Sequence, residues 1–379
     1  VIDRSLAVGL LSLLPLSALA AKDVWLDVGA GFDQQWQNDS GDDASVQSLD
    51  ARFNTLWYPQ APLEFGVQYG LEQRAFLAGG ATDTEPTTAD FRVADLDAAL
   101  IEDDDAALYQ NLDRLYGQWF SPVGDITLGR QAIGFGLAKR FSPVDVVQPA
   151  GLRATERRYR PGVDAARWLI PAGAVSEVDL GWVFGDDELL FARGYRQLGS
   201  TSLEVTALTL NQEQQLYGVG AEGSIGLFGL WQETAWLSDD QEAGWRMTIG
   251  ADHRIWRDIY LQFEYHYNGL GADDSDDYGR SADSAFYHSG LVLPLAQHYT
   301  STQVVGSLGA LYQFQVGAEY NVVDGSQLNT ASLVRSLGDN TELTMAVTLP
   351  VQRTQNTSNS STEFGVYPAV FSVNWSTVF

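Results

Sequence analysis

The amino-acid sequence predicts an all-β protein, a transmembrane antiparallel β-barrel of about 18 strands, with 16 the other even count its strand pattern allows. Three observations predict it. Segments as long as a tilted membrane strand alternate apolar and polar residues with period two, as in 258–268 and 311–321. A mean hydropathy of −0.13 is too polar for a bundle of membrane helices, while 37 Gly, 11 Trp, 16 Tyr and 17 Phe supply the turn and interfacial residues that barrels use. The C-terminal stretch puts Phe371, Val373, Trp375, Thr377 and Phe379 on one face of a strand. These residues form a candidate signal for membrane assembly, read by a barrel assembly machinery.

Residues 1–20 read as a secretory signal peptide: Arg4 supplies a basic start, Leu6 to Leu19 an apolar run, and Ser17-Ala18-Leu19-Ala20 a small-x-small site with cleavage after Ala20. The run is shorter than the roughly 20 residues an anchor helix needs. Residues 21–379 are then expected to form a single outer-membrane barrel in a Gram-negative cell. Every backbone N–H and C=O in hydrocarbon needs a partner, and without a spanning helix only a closed sheet provides one.

The expected strands are 24–35, 46–57, 62–76, 110–120, 124–134, 160–170, 175–184, 188–197, 201–211, 214–223, 226–237, 242–252, 256–268, 297–308, 311–322, 325–337, 340–351 and 366–379. Reading 269–296 as one long connection keeps the count even, as two termini on the same side of the membrane require. Short turns such as Pro59 to Pro62, Ser121 to Gly124, Pro171 to Gly173 and Leu337 to Asn340 then share the periplasmic end. The long connections near 77–109, 135–159, 269–296 and 352–365 share the external end. Leu49, Phe53 and Trp57, or Leu63, Phe65 and Val67, point to lipid; segment 202–210 is less regular, with Thr209 outward and Leu208 inward.

The formal charge of −27 excludes nucleic acid as a partner, and the runs Glu102 to Asp105, Asp186-Asp187, Asp239-Asp240 and Asp273 to Asp277 read as solvated loop tips. None has the spacing of a dedicated Ca²⁺ loop. The absence of cysteine rules out thiol catalysis and Cys-ligated metals. His253, His266, His288 and His298 are too scattered to suggest a metal site, and His288-Ser289 lacks the surroundings of a catalytic serine, so neither cofactor nor enzyme activity is expected. The partners expected are outer-membrane lipid, lipopolysaccharide and a small polar solute; no feature speaks to oligomeric state.

Function then depends on the lumen. The inward faces carry Asp50, Arg52 and Asn54, then Glu64, Gln68 and Glu72, then Arg114, Tyr116 and Gln118, followed by Glu177 and Asp179, Glu204 and Thr206, Glu264 and His266, Glu319 and Arg335. Arg52, Arg114, Glu64, Glu177, Glu264 and Glu319 are candidates for pore lining; the plainer reading is that such charges satisfy one another across strands. Between 130 and 167 lie Arg130, Arg140, Arg153, Arg157, Arg158, Arg160, Arg167 and Lys139, eight of the chain's 22 basic residues. The stretch Ser142 to Pro149 holds two prolines and is a poor strand. Folded inward, this segment would make Arg140, Arg153, Arg157, Arg158 and Arg160 a constriction attractive to carboxylate- or phosphate-bearing solutes. On the plainer reading, the same arginines neutralise the acidic loop 83–105.

Gly129 to Gly136, Phe141-Ser142-Pro143-Val144-Asp145 with Pro149, and Arg158-Tyr159-Arg160-Pro161-Gly162-Val163-Asp164-Ala165 resemble the signature of an uncharacterised family of proteobacterial outer-membrane barrels of porin or export type. Gln297-His298-Tyr299 and Val323-Asp324-Gly325-Ser326 resemble two further elements of that family, with Phe135 where it has Trp and Gln297 where it has Arg. The resemblance implies a barrel and a transport role. The expected function is therefore an outer-membrane channel for passive passage of small hydrophilic solutes, anions among them. The alternative is a scaffold barrel that sheathes a partner protein or redox carrier.

Overall fold

The computed structural model describes residues 23–36, 43–78, 91–94, 96–103, 105–147, 160–352 and 362–379; the expected signal peptide and Arg153, Arg157 and Arg158 lie outside these. The first strands are β1 (Asp23–Trp36), β2 (Ala44–Gln60), β3 (Leu63–Ala78), β4 (Ala98–Glu102), β5 (Ala106–Trp119) and β6 (Asp125–Gln131). They are followed by β7 (Val163–Pro171), β8 (Ser176–Phe184), β9 (Glu188–Leu198), β10 (Thr201–Leu210), β11 (Gln214–Ile225), β12 (Phe228–Ser238) and β13 (Ala243–Trp256). The last are β14 (Ile259–Asn268), β15 (His298–Ser307), β16 (Tyr312–Asn321), β17 (Gln327–Gly338), β18 (Thr341–Val351) and β19 (Ala369–Val378).

All neighbours pair antiparallel, and β1 pairs with both β2 and β19, so the sheet closes. β4 pairs only with β5, whose other edge is held by β3; the remaining 18 strands form the ring. Closure removes the sheet edges that hydrocarbon would leave unsatisfied.

Period-two alternation sets the two faces. Leu49, Phe53, Leu115, Leu128, Val205, Val219, Phe263 and Val316 are exposed on the outside, whereas Asn54, Asp179, Glu204, Glu233, Glu264 and Glu319 are buried within. Arg335 corrects the inward reading. It sits opposite Tyr312 in the β16–β17 register, on the same face as exposed Val316, with its guanidinium over that ring, 5.6 Å from the centroid. There a long cationic side chain lies along an aromatic at the membrane margin.

Of the boundaries that differ from expectation, three do so for one reason, the insertion of loops into the lumen. β6 ends at Gln131 and β7 starts at Val163, because the chain between them leaves the wall. β19 starts at Ala369, because Phe364–Val366 forms a short 3-10 turn whose Phe364 and Gly365 are buried. The 269–297 connection holds a 3-10 turn at Ser275–Asp277 and two short helices, α1 (Tyr278–Ala282) and α2 (Ala285–His288).

These insertions explain the apolar inner residues that blurred the alternation. Ile133, Phe135, Val144, Val146 and Val147 pack against Val183, Leu189, Phe191, Leu208, Leu210, Leu216 and Leu237 of β8–β12, joined by Phe286, Leu291 and Val292. A second cluster gathers Phe141, Tyr278, Tyr299, Leu328 and Phe364. Each such side chain withdrawn from water stabilises the docked loops by about 1.5–3 kcal/mol. The barrel therefore has an apolar core inside its loop end, on one side of the lumen.

Candidate functional site

Residues 132–147, hereafter the strap, run from the end of β6 across the lumen and dock on the opposite wall. A row of inward carboxylates receives their backbone. Glu264 on β14 accepts N–H bonds from Lys139 (2.5 Å), Arg140 (2.9 Å) and Phe141 (3.1 Å), and a fourth bond from Trp231 Nε1 at 2.7 Å. Glu233 on β12 accepts from the Leu137 N–H and, at 2.8 Å, from the Ser142 hydroxyl. Glu319 on β16 pairs with Arg140 at 2.6 Å. Buried backbone donors need acceptors, and charged acceptors make the stronger bonds. These acids fix where the strap lies.

The strap also receives donors from the wall. Thr248 bonds to the Phe141 carbonyl and, through the same hydroxyl, contacts His266 Nδ1 at 2.8 Å. Arg246 donates to the Leu291 carbonyl at 2.9 Å and the Pro143 carbonyl at 3.4 Å, tying the strap to the 269–297 connection. Glu363 closes the arrangement from a third connection. Its carboxylate accepts from Leu295 N–H (2.9 Å), Asn321 Nδ2 (2.7 Å) and the Tyr299 hydroxyl, and burial pushes its carboxyl up to about 7.

The wall from β2 to β9 is different. It carries Arg52, Arg114, Arg167 and Arg193, and the chain leading into β7 adds Arg160. Arg160 forms a two-pronged pair with Asp145 of the strap at 3.0 and 2.7 Å, and Asp145 raises the guanidinium above its ordinary range. Gly134 leaves the room the guanidinium occupies, since a Cβ there would lie 2.0 Å from Arg160 Nη1. Arg167 forks onto Asp179 at 2.8 and 2.7 Å, Arg193 lies 3.4 Å from Glu204 and 3.5 Å from Glu177, and Arg52 bonds to Asp113 at 3.0 Å.

In the pairs that Arg52, Arg160 and Arg167 make, and in that of Arg193 with Glu204, the acid is the more buried partner. Arg52 is 21% accessible against 3% for Asp113, Arg160 43% against 7% for Asp145, and Arg167 27% against 1% for Asp179. The acids stand behind the guanidinium groups. Two cavities lie along these side chains, one of about 400 Å³ bounded by Gly134, Gly136, Arg160, Arg193 and Tyr195, the other of about 250 Å³ bounded by Arg114, Tyr116, Thr127, Gln131 and Arg167.

The structure thus brings Arg52, Arg114, Arg160 and Glu177 to the hollow side of the lumen and sets Glu264 and Glu319 beneath the strap, with Arg140 of the strap turned onto Glu319. Glu64 faces inward nearer the turn end, accepting from the Tyr116 hydroxyl at 2.9 Å. Arg130 has left the lumen: alternation places it with Leu128 on the outer face, paired with Asp164 at 2.9 Å and bonded to the Ala94 carbonyl. His288 and Ser289 bond to the carbonyls of Ser284 and Phe286, and so serve the end of α2. On the terminal strand, Phe371, Val373 and Trp375 share the outer face, and Phe379 exchanges backbone bonds with Leu26 at 2.9 and 3.1 Å.

Sequence reasoning missed Asp113, Arg193, Glu233 and Glu363. Arg193 shares its face with the apolar Leu189 and Phe191, and only the strap that covers them explains why that face is inward. Asp113 is next to inward Arg114 and would alternate outward, but a β-bulge opposite Gln68 and Tyr69 turns it in.

The sequence matches no family model and no curated protein. Solved structures do match in fold. The Acinetobacter baumannii OccAB3 structure aligns over 94% of this chain and 98% of its own, with TM-score 0.59 and 10% identity. Pseudomonas aeruginosa OccK5 (OpdH) aligns over 95% and 98%, with TM-score 0.60 and 9% identity. The outer membrane protein OprD from Pseudomonas aeruginosa aligns over 95% and 94%, with TM-score 0.58 and 9% identity. At such identities the likeness is one of fold.

Proposed function

We propose that this barrel is an outer-membrane channel for passive passage of small hydrophilic solutes, and that its constriction favours anions. One observation carries the reading: guanidinium groups project into the hollow side of the lumen while most of the carboxylates that pair with them are recessed behind. A solute responds to groups within about a Debye length, roughly 8 Å at physiological salt. The acidic turns at Asp186-Asp187 and Asp239-Asp240 lie at the rim in bulk water, whereas Arg160 stands in confined water between low-dielectric walls. The fold shared with outer-membrane porin structures supports the same reading, including the location in the outer membrane. The docked loops occupy the space a sheathed partner would need, which speaks against the scaffold alternative.

The test is a planar-bilayer recording on refolded protein under a KCl gradient. Stepwise conductance with a reversal potential of anion sign is expected, and replacing Arg157, Arg158 and Arg160 together by Gln should move that potential toward cation preference. A barrel silent at all voltages refutes the channel, and an unmoved potential refutes the arginine constriction.

A further inference from the structure

Where β6 leaves the wall, it no longer joins β5 to β7, and β4 on β5 and the Phe91 carbonyl, which accepts the Asp164 N–H at 2.9 Å, take up part of the space. The β5–β6 ladder reaches only to Leu115 opposite Arg130, and the β6–β7 ladder only to Gln131 opposite Val163. Beyond those points, the backbone of residues 160–162 enters no β-ladder among the described residues. Side chains take over the bonding. Asp113 accepts the Gly162 N–H at 2.9 Å, Arg92 Nε donates to the Gly162 carbonyl at 2.9 Å, and Arg114 donates to the Arg160 carbonyl at 2.5 Å. Asp113 in turn gathers these donors, with Arg52 and Arg114 at 3.0 Å and Arg92 at 3.8 Å. The fit is tight, since a Cβ on Gly162 would lie 2.0 Å from the Asp113 carbonyl.

We propose that Asp113 is the positioning residue of the constriction, clamping residues 160–162 to β5 so that the Arg160 guanidinium is held forward against Asp145. The inference rests on the channel reading for its electrical consequence, but the clamp itself does not. The bulge at Asp113 supplies the geometry, because it turns two successive side chains inward, one to accept from the Gly162 N–H and one to donate to the Arg160 carbonyl. Arg160 is one residue from Pro161, which has no N–H to bond, so the grip on its carbonyl and on Gly162 is what sets its backbone.

The sign of one measurement separates positioning from charge. Asp113→Asn removes a negative charge, so acting by charge alone it raises the chloride-to-potassium permeability ratio. Acting by position, it releases Arg160 and lowers that ratio. In an Arg160→Gln background the lowering disappears and only the small rise remains. A rise in both backgrounds overturns the proposal. If Asp113→Asn yields no heat-modifiable barrel, Asp113→Glu serves in the same cycle, because it keeps the charge; an unchanged ratio in that variant overturns the proposal as well. Tryptic cleavage after Arg158 in the folded barrel gives a reading independent of conductance. Loss of a charge-assisted bond should speed it about tenfold in Asp113→Asn, and equal rates overturn the clamp. A silent wild-type channel with faster cleavage in the variant would refute the channel while sustaining the clamp.

Discussion

Glu264 is the most heavily used anchor of the strap, and replacing it by Gln removes its charge while keeping its size. One of its oxygens accepts from Lys139 N–H and Trp231 Nε1, the other from Arg140 N–H and Phe141 N–H. A glutamine amide offers one oxygen and one NH₂, so either orientation leaves two buried donors facing a donor. Each unsatisfied group costs about 1–3 kcal/mol and the two retained bonds weaken as the charge is lost, which together disfavours the docked strap by roughly 3–5 kcal/mol. That lowers the ratio of docked to undocked strap by at least about a hundredfold. The closed β-ladders do not depend on Glu264, so the barrel itself should persist. Single-channel recording of Glu264→Gln should show larger mean conductance with added flicker, while unboiled protein still migrates as a folded barrel in gel electrophoresis. Wild-type conductance and noise in this variant would refute the view that the carboxylate row holds the strap.

Glu363 gives a dependence on pH. Its folded value of about 7 exceeds the ordinary 4.5, so its contribution to stability is complete below about 4.5 and lost as pH rises through about 7. The difference corresponds to about 3 kcal/mol, so Glu363→Gln should raise the heat-modification midpoint relative to wild type more at pH 8 than at pH 5, and a variant indifferent to pH in this comparison would count against the buried carboxyl. Gly162→Ala should destabilise the barrel by about 1–3 kcal/mol because its Cβ meets a backbone carbonyl, measurable as a lower heat-modification midpoint. By contrast, Gly134→Ala meets only the movable end of Arg160, so it should alter the reversal potential and leave that midpoint unchanged. Deleting Phe379 removes the backbone bonds to Leu26 that extend closure of β19 on β1, and should reduce membrane yield more than Phe263→Ala on the outer face; equal yields would undo this argument.

The strand pattern was legible because it is local. Period-two alternation, turn residues and an even strand count need no knowledge of partners, and they placed the 18 ring strands to within a few residues, from β1 near 24–35 to β18 at 340–351. The arginine-rich segment with its two prolines also announced itself as something other than wall. Face assignment failed at Arg335, read inward but set on the outer face beside Tyr312. Leu208 was read inward, as it is, but a sequence window sees only that Leu189, Phe191 and Leu208 are apolar and not the strap that covers them.

The charged residues show the same division. Alternation marked Glu264 and Glu319 as inward acids, but whether an inward acid faces open water or grips a backbone is decided by what crosses the lumen in front of it. For Glu264, that was three consecutive N–H groups more than 120 residues earlier in the chain. Asp113 was hidden for a geometric reason, since a single extra residue in β5 reverses the face that alternation assigns. The sequence by itself determined that the chain makes a closed, amphipathic wall, because alternation is a property of each strand. Only the tertiary structure decided which charges face the hollow side of the lumen, because burial and ion pairing depend on loops that return from distant points in the chain.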